Sequence, residues 1–120
     1  YTIRTATFIY SSAMAKMEFL KDLPPLKTGD LLLFSGKGNI PRVIKAVTLN
    51  RWSHVGIVIN TPESSEPLLY ESTHCNKLKC RYTGVHHSGV QLVSFNDRYE
   101  MYPGKVAVRQ LQGLELNASD

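Results

Sequence analysis

The most constraining feature of this sequence is a pair of strand-like segments joined by a very short connection. Residues 55–60 are rich in β-branched side chains, and residues 68–73 form a second apolar segment of similar length. Between them, residues 61–67 contain two prolines and two serines, which is typical of a turn. So short a connection cannot cross over a sheet, so the two strands must be antiparallel neighbours. The sequence therefore predicts a β-hairpin.

Other segments extend this hairpin into a mixed fold. Residues 5–21 carry apolar side chains at near-helical spacing, and Pro24-Pro25 ends that segment. Pro41 is placed to open a short helix, and residues 96–101 fit one helical turn capped by Asn96. Further strand-like patterns occur at residues 31–34, 90–95 and 105–111. We expect an α+β fold with a mainly antiparallel sheet, an N-terminal helix and a short helix between the first two strands.

Length and composition limit the organisation of the chain. The 120 residues fit one domain, which we divide into an N-terminal helical segment (1–25), a β core (26–112) and a tail (113–120). Hydrophobic residues make up 42% and charged residues 20%, which excludes a disordered polyelectrolyte. No apolar run approaches the roughly 18 to 20 residues of a transmembrane helix.

The charge and the N-terminus suggest no special partner or destination. The net charge of +4 comes from scattered basic residues, so we predict no nucleic-acid partner. Ser11 and Ser12 interrupt the short apolar stretch near the N-terminus, so we expect no signal peptide. A cytoplasmic location is favoured, although two cysteines alone do not fix the redox compartment.

The hairpin gives His54 a possible partner. A turn centred on Pro62 and Glu63 would pair His54 with Glu71, and opposite residues of an antiparallel pair point to the same side. A carboxylate there would accept the imidazole N–H, fix its tautomer and stabilise the imidazolium. The pairing depends on register, because a slip of one residue turns Glu71 to the other face. The alternative is a half-buried histidine bonded to a backbone carbonyl.

An ordered set of motifs surrounds this pair. The segments are Gly29-Asp30-Leu31-Leu32-Leu33-Phe34, Trp52-Ser53-His54-Val55-Gly56-Ile57-Val58, Leu69-Tyr70-Glu71-Ser72 and Gly89-Val90-Gln91-Leu92-Val93. Over residues 26–111 this order resembles the permuted papain-fold hydrolases, the YiiX/YaeF-like and poxviral relatives of the NlpC cysteine peptidases.

The resemblance implies a partial permuted papain-like fold and thiol-dependent hydrolysis or transfer of an acyl group. The substrate would be an amide or ester in a peptide, a cell-wall fragment or a lipid. His54 would be the general base and Glu71 its orienting residue. Asp30 would cap a turn ahead of its strand, and Trp52 would wall the cleft or pack.

One part of the family pattern is absent from this sequence. In that family the nucleophilic cysteine follows the histidine and the glutamate, at the start of a later helix, where the helix N-terminus lowers the thiol pKa. This sequence has no cysteine after Cys80. It therefore resembles the N-terminal part of such a domain, or a relative that has lost the nucleophile. Cys75, four residues beyond Glu71, is a less favoured nucleophile.

Two other functions compete with the enzyme. The first is a non-catalytic binding module or pseudoenzyme that uses the same cleft, with self-association through unpaired strand edges if the domain is truncated. The second is a metal site in the loop after residue 73. Its five possible ligands are His74, Cys75, Cys80, His86 and His87. Their spacing matches no standard zinc motif, so we predict neither a metal nor a cofactor.

Overall fold

The computed structural model describes residues 4–10, 16–35, 52–113 and 116 of the chain. Within them the strands are β1 (Arg4–Ile9), β2 (Leu31–Ser35), β3 (His54–Ile59), β4 (Leu68–Thr73), β5 (Gly89–Ser94) and β6 (Lys105–Gln112). The helices of the same part of the chain are α1 (Lys16–Lys21) and α2 (Phe95–Met101). The strands form one sheet in the order β1-β6-β2-β3-β4-β5, and every neighbouring pair is antiparallel. The prediction of an α+β domain dominated by antiparallel sheet is confirmed.

The prediction of an N-terminal helix over residues 5–21 is wrong in its first half. Residues Arg4–Ile9 form β1, which pairs along β6 from Arg4 opposite Gln112 to Ile9 opposite Ala107. The segment alternates threonine and isoleucine with alanine and phenylalanine, which fits a pleated strand as well as a helix, and β6 offers it a row of backbone partners. The helix is confined to Lys16–Lys21.

Two further predicted features fall wholly or largely outside the described residues. The short helix expected from Pro41 lies outside them, and of the predicted tail at 113–120 only Gly113 and Leu116 are described. The sheet nevertheless runs beyond the predicted core, because β1 joins the same sheet as the strands of residues 26–112.

One face of the sheet carries the core. Side chains alternate between the two faces along each strand, so that alternate residues of all the central strands meet on one side. The buried inner-face residues are Leu32, Phe34, Val58, Leu69, Val93, Val106 and Val108. They pack against Phe95 and Tyr99 of α2 and Phe19 of α1. The outer face leaves Val55, Ile57, Tyr70 and Val90 between 41% and 56% exposed.

Helix α2 is fixed at both ends. It follows β5 without a linker, and the Ser94 hydroxyl accepts a hydrogen bond from the Asp97 N–H at 3.3 Å, so Ser94 rather than the predicted Asn96 is the N-cap. At the other end the Lys16 ammonium donates to the carbonyls of Tyr99 and Tyr102. These contacts hold the inward face of α2 over the sheet, where it reaches the side chains of β2 and β4.

Buried Asp30 ties the start of β2 to β6. One carboxylate oxygen accepts the Lys27 N–H at 2.9 Å, which is the turn cap expected from the sequence. The other accepts the Leu111 N–H at 2.9 Å, so Asp30 also holds the neighbouring strand in place. Neither of the helices in the described ranges is long and apolar enough to cross a bilayer.

Candidate functional site

His54 and Glu71 meet on the inner face of the sheet. His54 is the first residue of β3, and Glu71 lies in β4. The distance from His54 Nε2 to Glu71 Oε2 is 2.8 Å, and the Glu71 side chain is fully buried, whereas 27% of the His54 side chain is exposed. The two residues are thus in hydrogen-bond contact, with only the histidine open to solvent.

The register that creates this contact differs from the predicted one. Val58 faces Leu69 in the hairpin, and continuing that pairing places Glu71 opposite Gly56 rather than opposite His54. The difference is two residues along β4, so Glu71 stays on the face that His54 occupies. The pair is therefore diagonal, a separation that long side chains span in antiparallel sheets.

The hairpin turn explains the shift in register. The Asn60 N–H donates to the Thr28 hydroxyl at 2.8 Å, and the Asn60 side chain donates to the Leu26 carbonyl at 2.9 Å. These bonds draw Asn60 toward the segment before β2 and away from the pairing that a turn centred on Pro62 and Glu63 would give it. Strand pairing consequently closes at Ile59 with Leu68.

Gly56 allows β3 and β4 to pack closely on this face. A Cβ atom at Gly56 would lie 2.8 Å from Cδ1 of Leu69 and 2.9 Å from its Cγ. Leu69 therefore fills the space that a side chain at residue 56 would need. The glycine that the sequence places on the His54 face makes room for this core leucine.

Arg98 completes the cluster from α2. Its Nε donates to Glu71 Oε1 at 2.6 Å, and its side chain is 8% exposed. The Glu71 carboxylate thus uses one oxygen for each partner, with His54 on one and Arg98 on the other. Sequence reasoning missed Arg98. The sequence signal that could have found it is its position in the helix. Arg98 follows Phe95 at helical spacing and adjoins Tyr99, so it lies on the inward apolar face.

The charges in the cluster determine its protonation. Burial by itself raises the pKa of Glu71, but the hydrogen bond from His54 and the charge and hydrogen bond of Arg98 outweigh burial and hold the pKa below its ordinary value. Glu71 is therefore an ionised carboxylate at neutral pH. A carboxylate only accepts hydrogen bonds, so it selects the His54 tautomer with the proton on Nε2.

Aromatic rings support the histidine and the guanidinium. Phe34 lies opposite His54 on β2, and their ring centroids are 5.0 Å apart. The Arg98 guanidinium carbon is 4.7 Å from the centroid of the same Phe34 ring and 5.6 Å from that of Tyr102. These contacts restrict the rotamers of His54 and Arg98. Trp52 is half-buried just before β3, and its predicted role as a cleft wall stays a prediction.

The cluster leaves His54 Nδ1 available for proton transfer. This nitrogen makes no hydrogen bond to any residue in the part of the chain that the structure describes. With Nε2 committed to Glu71, Nδ1 carries the lone pair that can accept a proton. The arrangement is a base oriented by a buried carboxylate, which is the requirement for activating a nucleophile.

Gln91 connects the loop that carries Cys75 to this face. Gln91 pairs with Glu71 across β4 and β5, and its amide donates to the Cys75 carbonyl at 2.6 Å. The Cys75 backbone therefore lies beside the inner face. Both cysteines are free thiols, and across residues 52–113 neither makes a hydrogen bond to His54.

The possible metal ligands of the loop do not converge. His86 Nδ1 contacts the Asn76 carbonyl at 3.1 Å, whereas His87 Nδ1 contacts the Ser88 carbonyl at 2.9 Å. Among the described residues, no group of three or more His, Cys, Asp or Glu side chains is arranged to hold a metal ion.

Comparison with known proteins leaves the chain without an assigned family. No family model, curated protein or solved structure matches it. The likeness to permuted papain-fold hydrolases therefore stays a prediction from the sequence.

Proposed function

We propose that His54, Glu71 and Arg98 form the general-base part of a thiol-dependent acyl-transfer site of the permuted NlpC-like type. The reaction would be hydrolysis or transfer of an acyl group from an amide or ester. The observation that carries the proposal is the 2.8 Å contact between His54 Nε2 and a fully buried Glu71 carboxylate, with the histidine itself partly exposed. A histidine serving only the core would gain nothing from a partly exposed ring whose Nδ1 makes no hydrogen bond within the described residues.

In the proposed reaction His54 transfers a proton in each of two steps, formation of the thioester and release of the acyl group. Nδ1 accepts the proton of a cysteine thiol, and Glu71 stabilises the imidazolium that results. The thiolate attacks the acyl carbon, and His54 then returns the proton to the departing amine or alcohol. Water or an acceptor hydroxyl, deprotonated by His54 in turn, attacks the thioester carbon, the carbon–sulfur bond breaks, and the proton returns from His54 to the cysteine sulfur.

Arg98 has a supporting part in this scheme. A carboxylate buried without compensation would take up a proton and could no longer orient His54. The Arg98 guanidinium keeps Glu71 ionised and, through its contact with Phe34, ties the position of α2 to the histidine. Arg98 is thus a positioning residue that acts through Glu71.

The proposed reaction also requires a cysteine thiol as the nucleophile. Within this chain the candidate is Cys75, because Gln91 holds its backbone beside the inner face. In the permuted NlpC-like arrangement the cysteine instead follows at the start of a later helix. The second candidate function is a binding module that uses the same cleft, and it is favoured by the lack of a hydrogen bond between either thiol and His54 within the described ranges.

Trapping of an acyl-protein tests the proposal. The chain in a Cys80→Ser background is incubated with p-nitrophenyl acetate, and the adduct is located by peptide mass spectrometry after a short reaction. We expect acetyl-Cys75, lost in Cys75→Ser and reduced about a hundredfold or more in His54→Ala, since general-base catalysis contributes about 10² to 10⁴. His86→Ala is the matched control, because His86 is an exposed histidine bonded to the Asn76 carbonyl.

The outcomes separate the two candidate functions. An acetyl-Cys75 that forms equally fast in His54→Ala would overturn the base assignment. A parent chain that forms no thioester would contradict catalysis by this chain and favour the binding module.

A further inference from the structure

An apolar cavity lies on the face of the sheet opposite His54. Its volume is about 360 Å³, and it is lined by Ile59, Tyr70, Cys80, Tyr82, Val90 and Leu92, among others. Ile59, Tyr70, Val90 and Leu92 point outward from the sheet, Gln91 contributes to the lining from the neighbouring inward position of β5, and the turn that follows Cys80 closes the cavity from the side. The volume falls within the usual range of sites for small molecules, and most of the lining is apolar.

Cys80 brings a thiol to the wall of this cavity. The residue is 1% exposed and lies along the edge of β5, where its sulfur accepts the Leu92 N–H at 3.5 Å. The Arg81 N–H donates to the Leu92 carbonyl at 2.7 Å, which fixes the segment against the strand. Burial raises the pKa of the Cys80 thiol, but hydrogen bonds from Leu92, Thr83 and His87 outweigh burial and lower the pKa to about 6.

His87 is oriented to hold the proton that the thiol loses. Its Nδ1 lies 2.9 Å from the Ser88 carbonyl, which can only accept, so Nδ1 carries a hydrogen. Its Nε2 lies 3.0 Å from the Thr83 hydroxyl. The Ser88 carbonyl and then the Cys80 sulfur raise the pKa of His87. Cys80, Thr83 and His87 together form a thiol, hydroxyl and imidazole cluster at the cavity.

We propose that Cys80 is a modification site for small apolar molecules that carry an electrophilic carbon, of which α,β-unsaturated aldehydes are the simplest class. The Cys80 sulfur forms a bond to the β-carbon of the aldehyde while the carbon–carbon π bond breaks. The released electron pair is protonated at the α-carbon by the His87 imidazolium, which holds the former thiol proton. Nothing is oxidised or reduced, and no group leaves. The apolar tail of the aldehyde occupies the cavity.

The lining and the neighbouring charges favour this class of reactant. The side chains of Ile59, Val90 and Leu92 make one side of the cavity apolar, and Thr83 and Gln91 add polar atoms to the rest, so the apolar side favours a reactant with a hydrocarbon tail over hydrogen peroxide. Among the described residues that line the cavity, the other titratable groups are the phenols of Tyr70 and Tyr82, and the guanidinium of the neighbouring Arg81 is bonded to Glu66 at 2.8 Å. His87 is therefore the group near Cys80 that can exchange a proton at neutral pH.

The pH dependence of the rate gives a distinctive signature. A thiol with an ordinary pKa of about 8.5 gains thiolate about 25-fold between pH 7 and pH 9. A thiol whose pKa is about 6 is already about nine-tenths ionised at pH 7, so its rate does not rise over the same interval. The absolute rate at pH 7 is a weaker criterion, because nucleophilicity falls as the thiol pKa falls.

The experiment compares two aldehydes on the whole chain. trans-2-Hexenal and trans-2-butenal share the same β-alkyl-substituted reactive group, but hexenal carries two additional methylene carbons. Each buried methylene is worth about fourfold in affinity, so we expect Cys80 to react about tenfold faster with hexenal than with butenal at equal subsaturating concentration. Peptide mass spectrometry follows Cys80, and glutathione in the same reaction serves as the reference thiol.

Variants test the cavity and the proton acceptor separately. Val90→Asp places a charge in the cavity and should remove the preference for hexenal, whereas Val55→Asp changes a residue of the same outer face that does not line it. His87→Gln should move the start of the rate plateau to higher pH, and His86→Gln should not. All four changes are at exposed or half-buried residues, so folding is preserved.

Three results would overturn the proposal. The first is a Cys80 that reacts only after unfolding in urea, the second is equal rates with the two aldehydes, and the third is a rate that rises about 25-fold from pH 7 to pH 9 like that of an ordinary thiol. None of them bears on His54, which lies on the other face of the sheet.

Discussion

Replacing Arg98 with methionine would remove the guanidinium from Glu71 while keeping an unbranched, apolar side chain beside Phe34. The ion pair is buried, with the two side chains 8% and 0% exposed and the atoms 2.6 Å apart. Removing one partner of such a pair costs about 3 to 5 kcal/mol, because the other charge is left uncompensated. His54 still contacts Glu71, so we expect about 3 kcal/mol for Arg98→Met and a similar loss for Glu71→Gln.

The double variant separates the ion pair from simple packing. With both charges gone, no group is left uncompensated, so Glu71→Gln/Arg98→Met should lose about 3 to 4 kcal/mol, well short of the total of the two single changes. Urea unfolding followed by circular dichroism gives the four free energies of unfolding. The control cycle uses the ion pair Arg81 and Glu66, which is 2.8 Å apart with side chains 46% and 34% exposed, and there we expect a coupling below about 1 kcal/mol. Additive losses at Glu71 and Arg98, within about 0.5 kcal/mol, would refute this account of the cluster.

Three further predictions concern stability and assembly. The folded-state pKa of Glu71 is lowered, so the stabilisation that its carboxylate contributes is fully present above the unfolded value of about 4.3 and is lost as the pH falls below that value. The urea midpoint measured from pH 6 to pH 3 should therefore fall less steeply in Glu71→Gln than in the parent chain. Gly56→Ala should lower the free energy of unfolding in urea by about 1 to 3 kcal/mol, because its Cβ would lie 2.8 Å from Leu69 Cδ1. In a Leu69→Ala background the same glycine replacement should be nearly neutral. An equal cost in both backgrounds would disprove the clash. The edge strand β1 and the exposed outer face, which includes Ile57 and Val90, should give concentration-dependent self-association by light scattering, and a monomer at every concentration would contradict that.

The contact between His54 and Glu71 could be predicted because it requires only that both side chains lie on the same face of the sheet. It does not require one exact strand register. The sequence placed both residues on strands of one hairpin, and a two-residue error in pairing leaves both side chains on the same face. The error itself arises from Asn60, whose bonds to Leu26 and Thr28 join segments far apart in sequence. No pattern within the hairpin reveals those bonds.

The sequence pattern could not predict features that depend on contacts with distant parts of the chain. The segment Arg4–Ile9 becomes a strand because β6 has an edge for it to pair with, although its own spacing also fits a helix. The burial of Arg98 also depends on tertiary contacts, because an arginine in a short helix is ordinarily solvated. Only the placement of α2 directly after β5, over the inner face, turns its guanidinium toward Glu71.

The most direct test of the site is the protonation state of the two ring nitrogens of His54. Two-bond ¹H–¹⁵N NMR correlation spectra of the uniformly labelled chain at neutral pH distinguish an N–H nitrogen from an unprotonated one in each histidine. We predict a hydrogen on Nε2, donated to Glu71, and an unprotonated Nδ1, with this preference weakened in Glu71→Gln. A hydrogen on Nδ1 with Nε2 unprotonated, or a tautomer unchanged by Glu71→Gln, would contradict the assignment of His54 as an oriented base.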